Sequence, residues 1–408
     1  MKHPIKEIKV GLDFDSQLQP LGRLAIHEGT IYFQYDDAFI QTGIDISPFR
    51  LPLQNGLIEL PVRPFEGLAG VFNDSLPDGW GRLLFDRLVR SKGIASTTIS
   101  PLDRLAHVGL HGMGALVYQP DNSPSDAHQF IDLDQLATQT EEVLQGSSED
   151  ILLELLALNG SSAGARPKAL ISVDTLRKNI SYGNERLEKD FEHWLVKFPN
   201  SQDGSDSGAI EYVYALLAKE AGILMPDIHL FSSQKGAGYF AVQRFDRDQH
   251  NKLHMHTASG LLHSDFRAPS LDYEDLLNLT HILTKDIREV EKMYRLAVFN
   301  VFAHNRDDHA KNFSFLMDKN GLWKLSPAYD LTFSSGPNGE QSTMVMGEGK
   351  SPSISHLRNL GTEAKLSKLL IEEIIEQTRD ALSQWKNLAN NFNVQKKNIS
   401  HIASIINK

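Results

Sequence analysis

The pattern of apolar and polar positions changes character along the chain. Ile8–Phe14, Leu21–Ile26 and Thr30–Tyr35 are strand-length runs separated by Gln-Pro and Glu-Gly turns. In Phe72–Gly81 (FNDSLPDGWG), Pro77 and Gly79 suit a turn, and Asp78 suits the N-cap of a helix over Arg82–Arg90. His111–Leu116 (HGMGAL) reads as a tight turn into a strand. Catalytic carboxylates and histidines do not cluster in residues 1–120, which therefore read as scaffold or docking surface. A polar connector over 121–131 precedes helical periodicity over Asp132–Gly146 and Ser148–Leu158. Phe191–Phe198 is strand-like, and Ile210–Gly222 has one apolar helical face. Ile228–Phe231 and Tyr239–Arg244 form a strand pair. Beyond residue 250 helices dominate: Leu271–Leu283, Asp286–Ala303 with Asp286 as N-cap, Glu363–Asn390 and Val394–Ile406. The pattern predicts an α+β protein, β-rich first and largely helical afterwards.

Composition narrows this only modestly. With 408 residues, 41% apolar and 23% charged, the chain has room for two or three domains of ordinary globular type. No apolar run approaches the roughly 18–20 residues of a membrane span, and the start lacks a signal-peptide apolar region, so a cytoplasmic protein without membrane partner is expected. The absence of cysteine excludes disulfides, thiolate metal sites and cysteine nucleophiles. A net charge of −11 argues against autonomous nucleic-acid binding.

The candidate chemistry gathers in Phe299–Leu331, FNVFAHNRDDHAKNFSFLMDKNGLWKLSPAYDL. Two apolar runs, Phe313–Met317 and Leu322–Leu325, flank Asp318-Lys319-Asn320-Gly321, a strong hairpin signal. A hairpin returns the chain to its start, which brings Asn312 near Asp330 with Asp307 close by. An acid, an amide and a second acid so placed suit phosphoryl transfer: Asp307 to take a hydroxyl proton, Asn312 and Asp330 as hard oxygen ligands for magnesium.

Upstream segments extend the reading. Asn159–Ile171 (NGSSAGARPKALI) offers small residues whose backbone N–H groups can cradle phosphate, although it is neither a Walker A nor a G-x-G-x-x-G loop. A plain helix-to-strand loop is the alternative. Lys197 lies in an apolar strand and suits a phosphate contact, with Glu211 and Glu220 as candidate braces. Gln243-Arg244-Phe245 sits where a sheet would pass into helices; otherwise Arg244-Asp246-Arg247 is a surface charge cluster of little weight. His254, His256 and His263 follow no metal-ligand spacing. Ser334–Gly349 reads as a flexible loop or linker. Loop, strand lysine, helix, strand exit, then Asp-x4-Asn, hairpin and Asp is the linear order of a kinase. A nucleotide-binding co-repressor with a vestigial site, and a small-molecule phosphotransferase, remain as alternatives.

The stretches SSAGARPKALI, HWLVKFP, LAKEAGI, VQRFDR, NRDDHAKNFSF and SPAYDLT, in this order, resemble the HipA family, serine/threonine kinase toxins of bacterial toxin–antitoxin modules. FNDSLPDGWGR and HGMGALVY resemble its N-terminal module. The resemblance implies a two-lobed protein-kinase-like fold with an extra N-terminal β module (1–120), an N-lobe (121–247) and a helical C-lobe (248–408). It implies ATP and Mg2+ as cofactors, with Asp307 as base and Asn312 and Asp330 as metal ligands. Ala163, Gly164, Ala165, Lys197, Gln243, Phe245, His309 and Lys311 would contact ATP, and Ser161 or Ser162 would be autophosphorylated. It also implies a helix-turn-helix (HipB-like) antitoxin, DNA contact only through it, and a protein substrate such as an aminoacyl-tRNA synthetase. Several positions depart from familiar patterns. His309 stands two residues after the base, where ordinary protein kinases have lysine, and Tyr329-Asp330-Leu331 replaces Asp-Phe-Gly. Arg166-Pro167 replaces the Gln-Glu pair of better-known members, and Gln243 replaces an acid.

Overall fold

A computed structural model describes residues 4–14, 17–124, 129–146, 149–159, 164–182, 190–200, 203–248 and 251–406. The first strands build a five-stranded antiparallel sheet in the order Leu57–Glu59, Thr30–Tyr35, Leu18–His27, Glu7–Asp13, Leu116–Gln119. Ile8, Val10 and Leu12 alternate inward, as a half-buried strand requires, and join Phe33, Phe72 and Leu105 in one core. The helix that follows the Pro-Asp-Gly turn spans Gly79–Ser91 and turns away from this core. Its Trp80, Leu84, Phe85 and Leu88 pack instead with the next layer.

That layer is a six-stranded antiparallel sheet, ordered Ile228–Phe231, Tyr239–Gln243, Phe191–Lys197, Lys168–Asp174, Ile180–Tyr182, Gln129–Phe130. Helices Gly79–Ser91 and Glu149–Asn159 lie against each other, and the latter packs on the Lys168–Asp174 strand. Helix Ser207–Glu220 contacts the other end of the sheet and joins the helical lobe through Val213, Tyr214 and Leu217. Tyr214 fastens the joint, its hydroxyl donating to the Ala303 carbonyl at 2.7 Å.

The helical lobe contains Tyr273–Thr284, Ile287–Phe302, Ile354–Glu363, Lys368–Ser383, Trp385–Asn391 and Lys396–Ile406. Asp286 caps the second of these, accepting from the Arg288 N–H at 2.9 Å. The single helix expected over Glu363–Asn390 is divided. Lys365 takes a positive φ of 60°, Ser367 restarts the chain as the cap of Lys368–Ser383, and Gln384 separates the last piece. Ile354–Glu363, capped by Ser353, was not expected from apolar spacing alone. The Asn-Gly hairpin forms as expected: Ser314–Met317 pairs with Trp323–Leu325, Phe315 opposite Leu325, and Gly321 takes φ +78° at the turn. Its first strand pairs on the other side with His254–Thr257.

Between sheet and helices the chain passes through Arg244-Phe245-Asp246-Arg247. The surface-cluster reading is corrected here, since Asp246 has no exposed area and both arginines are buried around it. Asp246 also accepts from the Gly114 N–H at 2.7 Å, and Arg247 donates to the Gly112 carbonyl at 2.8 Å. The HGMG turn therefore docks on this exit, which a local charge pattern does not reveal. No described helix is long and apolar enough to cross a membrane.

Candidate active site

Lys197 ends the central strand Phe191–Lys197, where alternation directs its side chain between the lobes. Its Nζ donates to Asp330 Oδ1 at 2.6 Å and to Glu211 Oε1. Glu211 comes from helix Ser207–Glu220 and has a side chain only 3% exposed, while that of Asp330 is 37% exposed to the cleft. Glu220, the other candidate brace, is exposed near the opposite end of that helix. Burial opposes the charge on Lys197, but Asp330 and Glu211 outweigh it and hold the ammonium above its ordinary range. Burial likewise opposes ionisation of Asp330, yet Lys197, Lys168 and Arg166 hold its carboxyl well below the usual range.

Lys168 stands opposite Lys197 in the strand register. Like charges so placed repel. Burial, reinforced by Lys197, pushes Lys168 down to about 8. Arg166 pairs with Asp203 at 3.2 Å and Glu211 at 3.8 Å. The cleft wall thus carries three cations, offset by Glu211, Asp203 and Asp330.

The opposite wall is the segment after helix Ile287–Phe302. Asn312 lies in the short turn Ala310–Asn312 and donates from Nδ2 to the Asp307 carbonyl at 2.7 Å. Asp307, Asn312 and Asp330 border one cleft of roughly 690 Å3 together with Lys168 and Lys197. Burial raises the Asp307 carboxyl and the Asp330 charge adds to it, against His309 and Arg166. Asp308 turns inward instead. It accepts from Tyr273 Oη at 2.6 Å, Gln341 Nε2 at 3.0 Å, Ser342 N at 2.9 Å and Thr343 N at 3.2 Å. Burial nevertheless pushes its carboxyl up to about 7. These bonds correct the flexible-loop reading of Ser334–Gly349, because Gln341, Ser342 and Thr343 are buried anchors of the Asp307 loop.

Gly164, Ala165, Gln243, Phe245, His309 and Lys311 all line the same cleft. Phe245 packs 5.5 Å from the Tyr329 ring, and His309 lies 5.3 Å from that of Phe266. Lys311 reaches Asp78 Oδ2 at 2.7 Å. Ser161, Ser162 and Ala163 lie outside the described residues.

Sequence reasoning missed Lys168 and Arg166 as individual contacts, read Asp78 only as a helix cap, and did not single out Phe266. Asp78 does occupy the N-cap position of Gly79–Ser91, but its side chain makes no cap bond. A Pro-Asp-Gly turn carries no mark of a lysine more than two hundred residues away. The three histidines are separate ties between the first sheet's module and the helical lobe. His254 contacts the Ile46 carbonyl at 3.0 Å, His263 accepts from the Gly70 N–H at 3.1 Å, and His256 bridges Asp74 at 2.6 Å and Ser47 at 3.0 Å. Ser47-His256-Asp74 has the connectivity of a hydrolytic triad, but Ser47 and His256 have no exposed area for a substrate to reach.

Residues 160–385 match the model of the HipA-like C-terminal domain, and residues 14–119 that of the HipA N-terminal domain. The chain belongs to the HipA family. Its fold is similar to that of Shewanella oneidensis HipA, solved in a toxin–antitoxin complex with HipB and operator DNA. The TM-score is 0.69 at 16% identity, covering 98% of this chain and 96% of that one. The fold is thus the two-lobed, kinase-like HipA fold. Sequence relatives include the candidate kinase Y4dM of Sinorhizobium fredii, 23% identical over 230 residues, 52% of this chain and 54% of that protein. A candidate kinase of Haemophilus influenzae is 27% identical over 150 residues, 33% of this chain and 44% of that protein. The chain spans about half the length of these relatives or less.

Proposed function

We propose that the chain is an ATP- and Mg2+-dependent serine/threonine protein kinase of the HipA toxin type, built from modules meeting near residues 120 and 247. The observation that carries this reading is Lys197, which bridges Glu211 and Asp330 on the cleft that Asp307 and Asn312 also border. Kinases require a strand lysine paired with a helix glutamate and a metal-binding aspartate in place together. In this reading Lys197 and Lys168 hold phosphate oxygens, the loop at Gly164 and Ala165 covers them, and Gln243 to Phe245 hold the base at the strand exit. His309 and Lys311 complete the phosphate side.

Asp330 and Asn312 fit magnesium. Both offer hard oxygens, Asp330 stays ionised, and a metal that keeps water and phosphate ligands needs only one or two from protein. When bound, Mg2+ would neutralise charge on the transferring phosphate. Asp307 supplies the base: its raised carboxyl is better matched to a hydroxyl proton than an ordinary aspartate, and Asn312 fixes its backbone. Asp307→Asn should retain binding of Mg2+ and an ATP analogue and lose γ-phosphate transfer by roughly 10²–10⁴-fold. Transfer surviving in that variant removes Asp307 as base.

Self-labelling is proposed at Ser161 or Ser162, where phosphate would add about −1.5 to −2 charges beside an anion-binding loop and close the site by repulsion. Peptide mapping after incubation with labelled ATP tests this. A helix-turn-helix, HipB-like antitoxin is the proposed partner. The solved HipA neighbour was captured with HipB and operator DNA, and a chain of net charge −11 suits reaching DNA through a partner. The proposed substrate is a cytoplasmic protein, with aminoacyl-tRNA synthetases as the first class to assay.

A further inference from the structure

The Asp78-Gly79-Trp80 turn belongs to the N-terminal HipA domain by sequence, yet it sits at the cleft. One Asp78 carboxylate oxygen accepts from the Gly164 N–H, and the other accepts from Lys311 Nζ at 2.7 Å. Two residues on, the Trp80 N–H donates to the Gly164 carbonyl at 3.0 Å. The turn therefore takes both the N–H and the carbonyl of one loop residue while also gripping the catalytic segment.

Gly79 makes this approach possible. It adopts φ +44°, and a Cβ there would lie 2.4 Å from the Gly164 carbonyl oxygen and 2.7 Å from Ala165 Cα. Asp78 is also electrostatically suited. Burial opposes its charge, but Lys311, the Gly164 N–H and Lys168 hold its carboxyl below the ordinary range. The Lys311 side chain is only 7% exposed, so its ammonium requires a nearby anion.

We infer that Asp78 is a positioning residue of the nucleotide site, through which the N-terminal domain holds the phosphate loop at Gly164 in fixed relation to Lys311. The inference rests on the nucleotide-site reading above and adds that the N-terminal domain completes the site. A loop rich in small residues loses much conformational freedom when it closes on a ligand, and a clamp set beforehand removes part of that cost.

The test uses the full chain, with two readouts: amide exchange of the peptide containing Gly164, and affinity for Mg2+ with the non-hydrolysable β,γ-imido analogue of ATP. Asp78→Asn keeps shape and one acceptor but loses the charge. Asp78→Ala loses both, and Gly79→Ala wedges the turn without altering charge. In Asp78→Ala and Gly79→Ala, Gly164 should exchange faster and the analogue should bind more weakly, each by roughly tenfold, the loss of one hydrogen bond to a charged group. Asp78→Asn should fall between these and the parent, with all thermal transitions still cooperative. Unchanged Gly164 exchange in folded Asp78→Ala overturns the clamp, and faster exchange with undiminished affinity overturns its positioning role. Should Asp78→Ala fail to fold, Asp78→Asn and Gly79→Ala decide by the same criteria. A parent chain that binds no nucleotide overturns the proposed function, while the exchange readout still judges the clamp.

Discussion

Asp246 and Glu211 are buried acids with opposite balances. Asp246 lies between Arg244 and Arg247, which outweigh its burial and hold its carboxyl well below the usual range. Removing one partner from a buried ionic cluster strands the remaining charges. Asp246→Asn should therefore lower unfolding free energy by about 3–5 kcal/mol, read from urea midpoints. A loss below about 1 kcal/mol, typical of an exposed pair, would restore the surface reading. Glu211 differs because burial raises its carboxyl despite Lys197, to which it is nonetheless directly bonded. Glu211→Gln should leave the fold intact and reduce phosphate transfer about tenfold or more, the worth of one charge-assisted hydrogen bond. Both residues stand in plain sight in the sequence, where Glu211 was one of two candidate braces alongside Glu220. The burial of Asp246 was not, because its cover comes from Gly112 and Gly114, far away in the chain.

At the scale of elements, the Asp307 loop owes its shape to a neighbour of the proposed base. Asp308 collects donors from Tyr273 on one helix and from Gln341, Ser342 and Thr343 on a returning segment. Asn300 donates to Tyr273 Oη at 2.9 Å and Asn305 to Asn300 at 2.9 Å, so the network continues beneath the loop. Asp308→Ala leaves several buried donors without their acceptor, at about 1–3 kcal/mol each. It should destabilise by at least about 3 kcal/mol and also depress phosphate transfer, with urea unfolding and labelling measured on the same preparation. Wild-type stability in that variant would show the network to be dispensable. The hairpin beside this loop was legible, since Asn320-Gly321 turns as its composition demands. The anchoring of Ser334–Gly349 was not, because a Gly- and Ser-rich run looks alike whether its backbone donors meet water or a buried carboxylate.

Over the whole molecule, the N-terminal module meets the helical lobe at His254, His256 and His263 and holds His107 in its own fold. His107 is pushed down to about 4, His254 to about 3 and His263 to about 4, with burial the leading cause in each. A histidine depressed on folding stabilises fully above its unfolded value near 6.5, and this contribution is lost as pH falls toward the folded value. Urea midpoints should therefore drop steadily from about pH 6.5 toward pH 4. His263→Gln should flatten that slope, whereas equal slopes in parent and variant would exclude His263 as a contributor.

The sequence by itself determined the α+β division, most strands and helices, the hairpin and the linear order of loop, lysine, acid, amide and acid. These follow from periodicity, turn chemistry and caps, which act over a few residues, and from side-chain chemistry, which is intrinsic to each residue. Only the tertiary structure decided that Lys197 chooses Glu211 over Glu220, that Lys168 stands opposite Lys197, and that Asp78 reaches Lys311 rather than capping its own helix. Those choices depend on which charges are buried together. Burial is settled by packing between segments that can lie more than two hundred residues apart, so no local pattern records it.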